Sequence, residues 1–118
     1  MADEILETGA AVRRDVLGPE YADKPPFTLG TPFREYVTRS AWGSVWARDE
    51  LDRRTRSAIT LALLAALRCE DELAMHITAA RRNGLTDAEI AEVFLHTAVY
   101  AGAPAANSAM RVLDAMGG

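Results

Sequence analysis

Residues 51–67 read LDRRTRSAITLALLAAL, and from Ala58 to Leu67 the only polar side chain is Thr60. The run is far too short to cross a bilayer. Asp52 is placed to cap a helix here, and the predicted helix covers 52–67. Its first turn is basic (Arg53, Arg54, Arg56), and the rest is apolar nearly all round. A helix with no polar face needs cover on every side, at the centre of a bundle or between subunits.

That cover has to come from a chain of 118 residues, enough for one domain and too few for two. Ile5, Leu6, Ala10, Val12 and Leu17 form the apolar side of a helix over 3–17, which Gly18-Pro19 ends. Residues 18–32 hold four of the five prolines and two glycines. They read as an extended connector, long for a compact domain. Pro32 suits the first turn of a helix reaching Trp46. Glu70, Asp71 and Glu72 suit the start of a helix over 70–83, and Arg81, Arg82 and Gly84 suit its end. Thr86-Asp-Ala-Glu89 is a capping box opening a helix over 87–101. Gly102 stops that helix, and Pro104 begins a last one reaching Met116. No stretch alternates apolar and polar residues convincingly, so the expected fold is all-α. It is a bundle of about six helices in one domain, 1–118. The N-terminal helix and connector take 1–30 and the helical core 31–116. Helices this short leave the one at 52–67 incompletely covered, so a homo-oligomer is expected.

The net charge of −4 argues against a nucleic-acid partner. Cys69 is the only cysteine, so no disulfide forms within the chain. The opening residues, MADEILETGAAVRRD, lack the unbroken apolar core of a signal peptide. The expected location is the cytoplasm. Two histidines twenty residues apart and a single cysteine make no metal-ligand set. No P-loop or GxGxxG is present, so no metal or cofactor is expected.

The polar residues with chemical potential lie at helical spacing. In CEDELAMH (69–76), Glu72 and His76 are one turn apart on one face, with Cys69 near them. Leu73, Ile77 and Ala80 point aside toward a core. This border setting can hold an imidazole near a neutral pKa, fit to give and take a proton. The same spacing also describes a surface ion pair of little energetic weight. His96 and Tyr100 repeat the pattern beside Ile90, Val93 and Thr97. They are either a candidate site or a helix edge meeting a neighbour. Trp42 and Trp46 at the same spacing point to packing. The turn YAGAPAAN (100–107) precedes a helix start, where an anion can sit, but alone it is a weak signal.

Three segments together resemble a known family: WGSVWARDEL, LDRRTRSAITLALLAAL, and DELAMHITAARRNGLTDAEIAEVFLHTAVYAGAPAANSAMR. They are similar to the decarboxylase branch of the carboxymuconolactone decarboxylase family over about 30–115. The tryptophan pair and HTAVYAGAPAAN match that branch. The resemblance implies an alkyl hydroperoxidase D-like helical fold and a ring of subunits, for which a hexamer is the expectation. In the redox branch of that superfamily a glutamate, two cysteines and a histidine fall where this chain has Ser57, Cys69, Glu72 and His76. A dithiol–disulfide cycle within one chain needs two sulfurs, and one is missing.

The implied reaction is cofactor-free loss of CO2 from 4-carboxymuconolactone (2-carboxy-2,5-dihydro-5-oxofuran-2-acetate). It gives 3-oxoadipate enol-lactone, in the protocatechuate branch of aromatic catabolism (the β-ketoadipate pathway). On that reading His76 is the acid that protonates carbon, and Glu72 orients it. His96 and Tyr100 are candidates for the oxyanion or a substrate carboxylate, and Arg53 and Arg56 for clamping the acetate arm. The alternatives are a sibling acting on another small carboxylic acid or lactone, and a non-catalytic oligomeric binding protein.

Overall fold

A computed structural model describes residues 3–24 and 27–117; Pro25 and Pro26, part of the expected connector, lie outside them. All regular structure among the described residues is helical. Two compact units divide the chain, Met1–Arg53 and Arg54–Gly118.

In the N-terminal unit α1 spans Glu4–Leu17. Its N-cap is Asp3, whose side chain accepts the Leu6 amide at 3.0 Å. That bond, and Arg39 beside it, hold the Asp3 carboxyl below its usual pKa. Gly18 ends the helix with φ +88°, a conformation open to glycine and strained for other residues. The connector expected to be extended instead contains a single helical turn, α2, Pro19–Ala22. Pro19 supplies its first position, where a missing amide hydrogen costs nothing. This turn is why the helices among the described residues number seven rather than six.

The helix expected over 32–46 begins as α3, Thr31–Val37, and then widens into a π-helical stretch, Thr38–Trp46. Hydroxyls line this transition. Thr38 donates to the Arg34 carbonyl at 2.7 Å, Ser40 to Tyr36 at 2.7 Å, and Ser44 to Arg39 at 2.8 Å. Each draws on a carbonyl four or five residues back and competes with the α-helical ladder. At the end of the stretch the Ala47 amide reaches the Trp42 carbonyl at 3.0 Å, the five-residue spacing of a π turn. Trp42 and Trp46 are buried, with ring centroids 5.2 Å apart.

This stretch packs on α1 backbone to backbone. A Cβ on Gly9 would overlap the Thr38 carbonyl oxygen, and one on Gly43 would overlap the Ile5 carbonyl oxygen.

The C-terminal unit holds α4 (Arg53–Ala66, its first residue belonging to the other unit), α5 (Glu70–Arg82), α6 (Asp87–Ala101) and α7 (Ala103–Ala115). Leu61 of α4, Leu73 and Ile77 of α5, Ile90 and Phe94 of α6 and Ala109 of α7 share one core. The expected capping box is formed: Thr86 Oγ1 accepts the Glu89 amide at 3.1 Å, and Glu89 accepts the Thr86 amide at 3.0 Å. Arg81 braces the α5–α6 turn through Asp87 at 2.8 and 3.2 Å. Gly102, at φ +100°, turns the chain sharply from α6 into α7.

α4 is buried less than its composition suggests. Ser57, Leu61 and Ala65 are buried, while Ile59, Leu63 and Leu67 are exposed at four-residue intervals.

Alanine favours a helix over glycine by up to about 1 kcal/mol. At Gly9 overpacking against a carbonyl oxygen that cannot rotate away outweighs this gain. Gly9→Ala is expected to destabilise the protein by about 2 kcal/mol, read as a lower urea midpoint.

Candidate active site

Helix α5 carries the central candidate. Its acidic first turn, Glu70, Asp71 and Glu72, complements the positive helix start. Cys69 precedes it, half-buried, its thiol donating to the Leu67 carbonyl at 3.9 Å. His76 lies on the border of the buried face, with Leu73 one turn before it and Ala80 one turn after. Its side chain is buried, 8% exposed.

Burial pushes the imidazole pKa down to about 4, because a charged ring would lose its hydration. The spacing with Glu72 had suggested a near-neutral value. Glu72 is exposed and no hydrogen bond joins it to His76. Water screens its charge, and desolvation decides the outcome.

A polar tie lies at the end of the same helix. Asn83 Nδ2 donates to the buried Ser57 Oγ at 2.9 Å, fixing α4 to the end of α5. Asn83 follows His76 by seven residues, about two helical turns, so both lie on one side of α5. That interval was the only sequence signal for Asn83.

His96 and Tyr100 do come together, with ring centroids 5.2 Å apart on α6. The pair is exposed, Tyr100 at 80%, and flanked by exposed Leu95 and Val99. No hydrogen bond or ring contact joins either residue to His76. Arg53 lies in the N-terminal unit, where it pairs with Asp15. Arg56 is half-buried on α4 in the C-terminal unit.

In the C-terminal unit a cleft of about 400 Å³ opens between α6 and α7. Phe94, Leu95, Ala98, Ala106 and Met110 make it apolar, and Asn107 is its one polar side chain. His76 is not part of its lining. Asn107 closes the HTAVYAGAPAAN segment, and nothing in that segment's spacing marks it as lining a cleft. Among the described residues no three His, Cys, Asp or Glu side chains group as a metal-ligand set. No helix among them is long and apolar enough to cross a membrane.

His76 is thus buried on α5, and the same helix is tied to α4 through Asn83 and Ser57. The family follows from comparison: the carboxymuconolactone decarboxylase family model matches residues 31–115, and the chain belongs to that family. It is 43% identical over 115 residues to the 4-carboxymuconolactone decarboxylase of Acinetobacter baylyi, covering 95% of this chain and 86% of the relative. It is also 43% identical over 113 residues to the nitrosuccinic acid decarboxylase npaB of Metarhizium robertsii, covering 92% of this chain and 78% of the relative.

His76 also makes stability depend on pH. Its folded-state pKa of about 4 lies below the ordinary 6.5, so between these values the unfolded chain binds a proton that the native state refuses. Stability therefore falls as pH drops through this window. The expected loss from pH 7 to pH 4.5 is about 2–3 kcal/mol more in the native protein than in His76→Gln, measured by urea denaturation of both.

Proposed function

We propose that the protein decarboxylates 4-carboxymuconolactone to 3-oxoadipate enol-lactone without a cofactor, within protocatechuate catabolism. That it is a carboxy-lyase follows from its family and from two relatives that are both decarboxylases. The observation that carries the substrate is the match to the Acinetobacter enzyme along 95% of the chain. The buried imidazole of His76 supports the proton chemistry.

In the substrate, a ring double bond is conjugated to the lactone carbonyl. As CO2 leaves, its bonding pair moves through that double bond onto the carbonyl oxygen and forms a furan-like enolate. A proton added to the carbon beside the carbonyl completes the reaction. The protein has to disperse the departing carboxylate's charge in an apolar setting, donate to the new oxyanion, and deliver the proton.

His76 is neutral at pH 7 before substrate arrives. A substrate bearing two carboxylates brings negative charge to it and raises its pKa. The imidazole then takes up a proton and passes it to carbon once CO2 has gone. Glu72, exposed one turn away, exchanges that proton with water. His96 and Tyr100 are assigned to the oxyanion or a substrate carboxylate, and Arg53 and Arg56 to the acetate arm.

Nitrosuccinate is the second reading, favoured by the equal identity to the fungal relative. Loss of CO2 beside a nitro group leaves a nitronate, which is also completed by protonation at carbon. The same acid serves either substrate. Exposed Ile59 and Leu63 of α4, Leu67 in the turn after it, and Leu95 and Val99 of α6 support a homo-oligomer.

The test is CO2 release from the purified protein supplied with each acid in turn. Turnover of carboxymuconolactone in large excess over nitrosuccinate is expected, and the reverse preference would replace the first reading with the second. His76→Ala is expected to lower kcat about 100-fold or more with the circular dichroism spectrum unchanged. Leu63→Glu is expected to reduce the mass measured by light scattering to that of a smaller assembly, since it buries a charge in the proposed contact.

A further inference from the structure

The N-terminal unit contains a cleft of about 240 Å³ that the proposed chemistry does not use. Arg13 and Arg14 of α1, Asp23 after α2, and Arg34 of α3 line it, together with Thr38. Asp23 is committed to Arg14, with which it forms an ion pair. Arg13 and Arg34 are left, and among the described residues neither has an acidic partner. Three arginines against one aspartate leave the cleft with two uncompensated positive charges.

The two guanidinium groups are also held close together. Arg13 donates to the Ala22 carbonyl at 3.0 Å, and Arg34 donates to the same oxygen at 2.9 Å. Arg13 reaches the Tyr21 carbonyl at 3.5 Å and Arg34 the Lys24 carbonyl at 3.0 Å. These carbonyls orient the groups but carry no net charge. A guanidinium has five N–H donors. Each arginine uses two of its terminal nitrogens in these bonds, so hydrogens remain on both forks. Partial burial, and then the like charge of Arg34, keep the Arg13 pKa below its usual value. Two like charges this close repel unless an anion lies between them.

We propose that this cleft binds a small oxyanion, a carboxylate or a phosphate, between the forks of Arg13 and Arg34. The N–H hydrogens left on each guanidinium can make charge-assisted bonds to either oxyanion. The cleft has room for roughly eight water volumes. That admits phosphate or a dicarboxylate of a few carbons. The proposal is independent of the assigned reaction.

The experiment titrates the full-length protein with sodium phosphate and, separately, sodium succinate at low ionic strength, where surface charge is least screened. Binding is followed by calorimetry and thermal shift against sodium chloride at equal ionic strength. Saturable binding of at least one anion is expected. Succinate alone would assign a carboxylate ligand, phosphate alone a phosphate, and either supports the proposal. Arg34→Gln is expected to weaken binding about tenfold or more by removing one charged donor. Asp23→Asn leaves both forks and their carbonyl bonds in place and removes the one acid of the cleft. It is expected to tighten binding about two- to fivefold. If Arg34→Gln does not fold, Asp23→Asn decides alone. No saturable response beyond that of chloride, or an affinity that Asp23→Asn leaves unchanged, would overturn the proposal.

Discussion

Exclusion of water from one face of α5 is the constraint on which the chemistry of the C-terminal unit rests. Leu73 and Ile77 sit in the core built with α4, α6 and α7, and His76 is carried on the edge of that same buried surface. Burial disfavours the charged ring because it would lose hydration. A group held neutral in this way responds strongly to a charge placed beside it, since little solvent is present to screen the interaction.

The two decarboxylases most useful for comparison carry different substrates in their names, a lactone and a nitro acid. Their common demand lies after the carbon–carbon bond has broken. A carbanion delocalised onto an electron-withdrawing group has to be quenched at carbon. One scaffold can satisfy that demand for both, provided the groups holding the remaining carboxylates and the withdrawing group differ.

Much of the helical layout was legible because its signals are local. The capping box at Thr86, the acidic start of α5 and the glycines at 18 and 102 each act within one turn. The π-helical stretch was not legible, because it arises from three hydroxyls bonding back along the chain and from close contact between two glycine-bearing helices. The short helix α2 was hidden by the prolines around it, which favour extended chain as much as a helix start. For the site, spacing placed Glu72 and His76 one turn apart. It did not reveal that one faces solvent and the other does not, and that difference reversed the expected near-neutral pKa. The engagement of Arg53 by Asp15, 38 residues away, is a tertiary fact with no trace in either segment.

The widened helix at Thr38–Trp46 has an evolutionary consequence. A turn with five-residue spacing holds one residue more than an α turn. Removing a single residue there would restore a regular helix without breaking the chain's course. Everything before the excision would swing by about 100° relative to everything after it. Gly43 would then lose its register with Ile5. Lineages of this fold should therefore gain or lose residues in neighbouring loops far more readily than within this one turn.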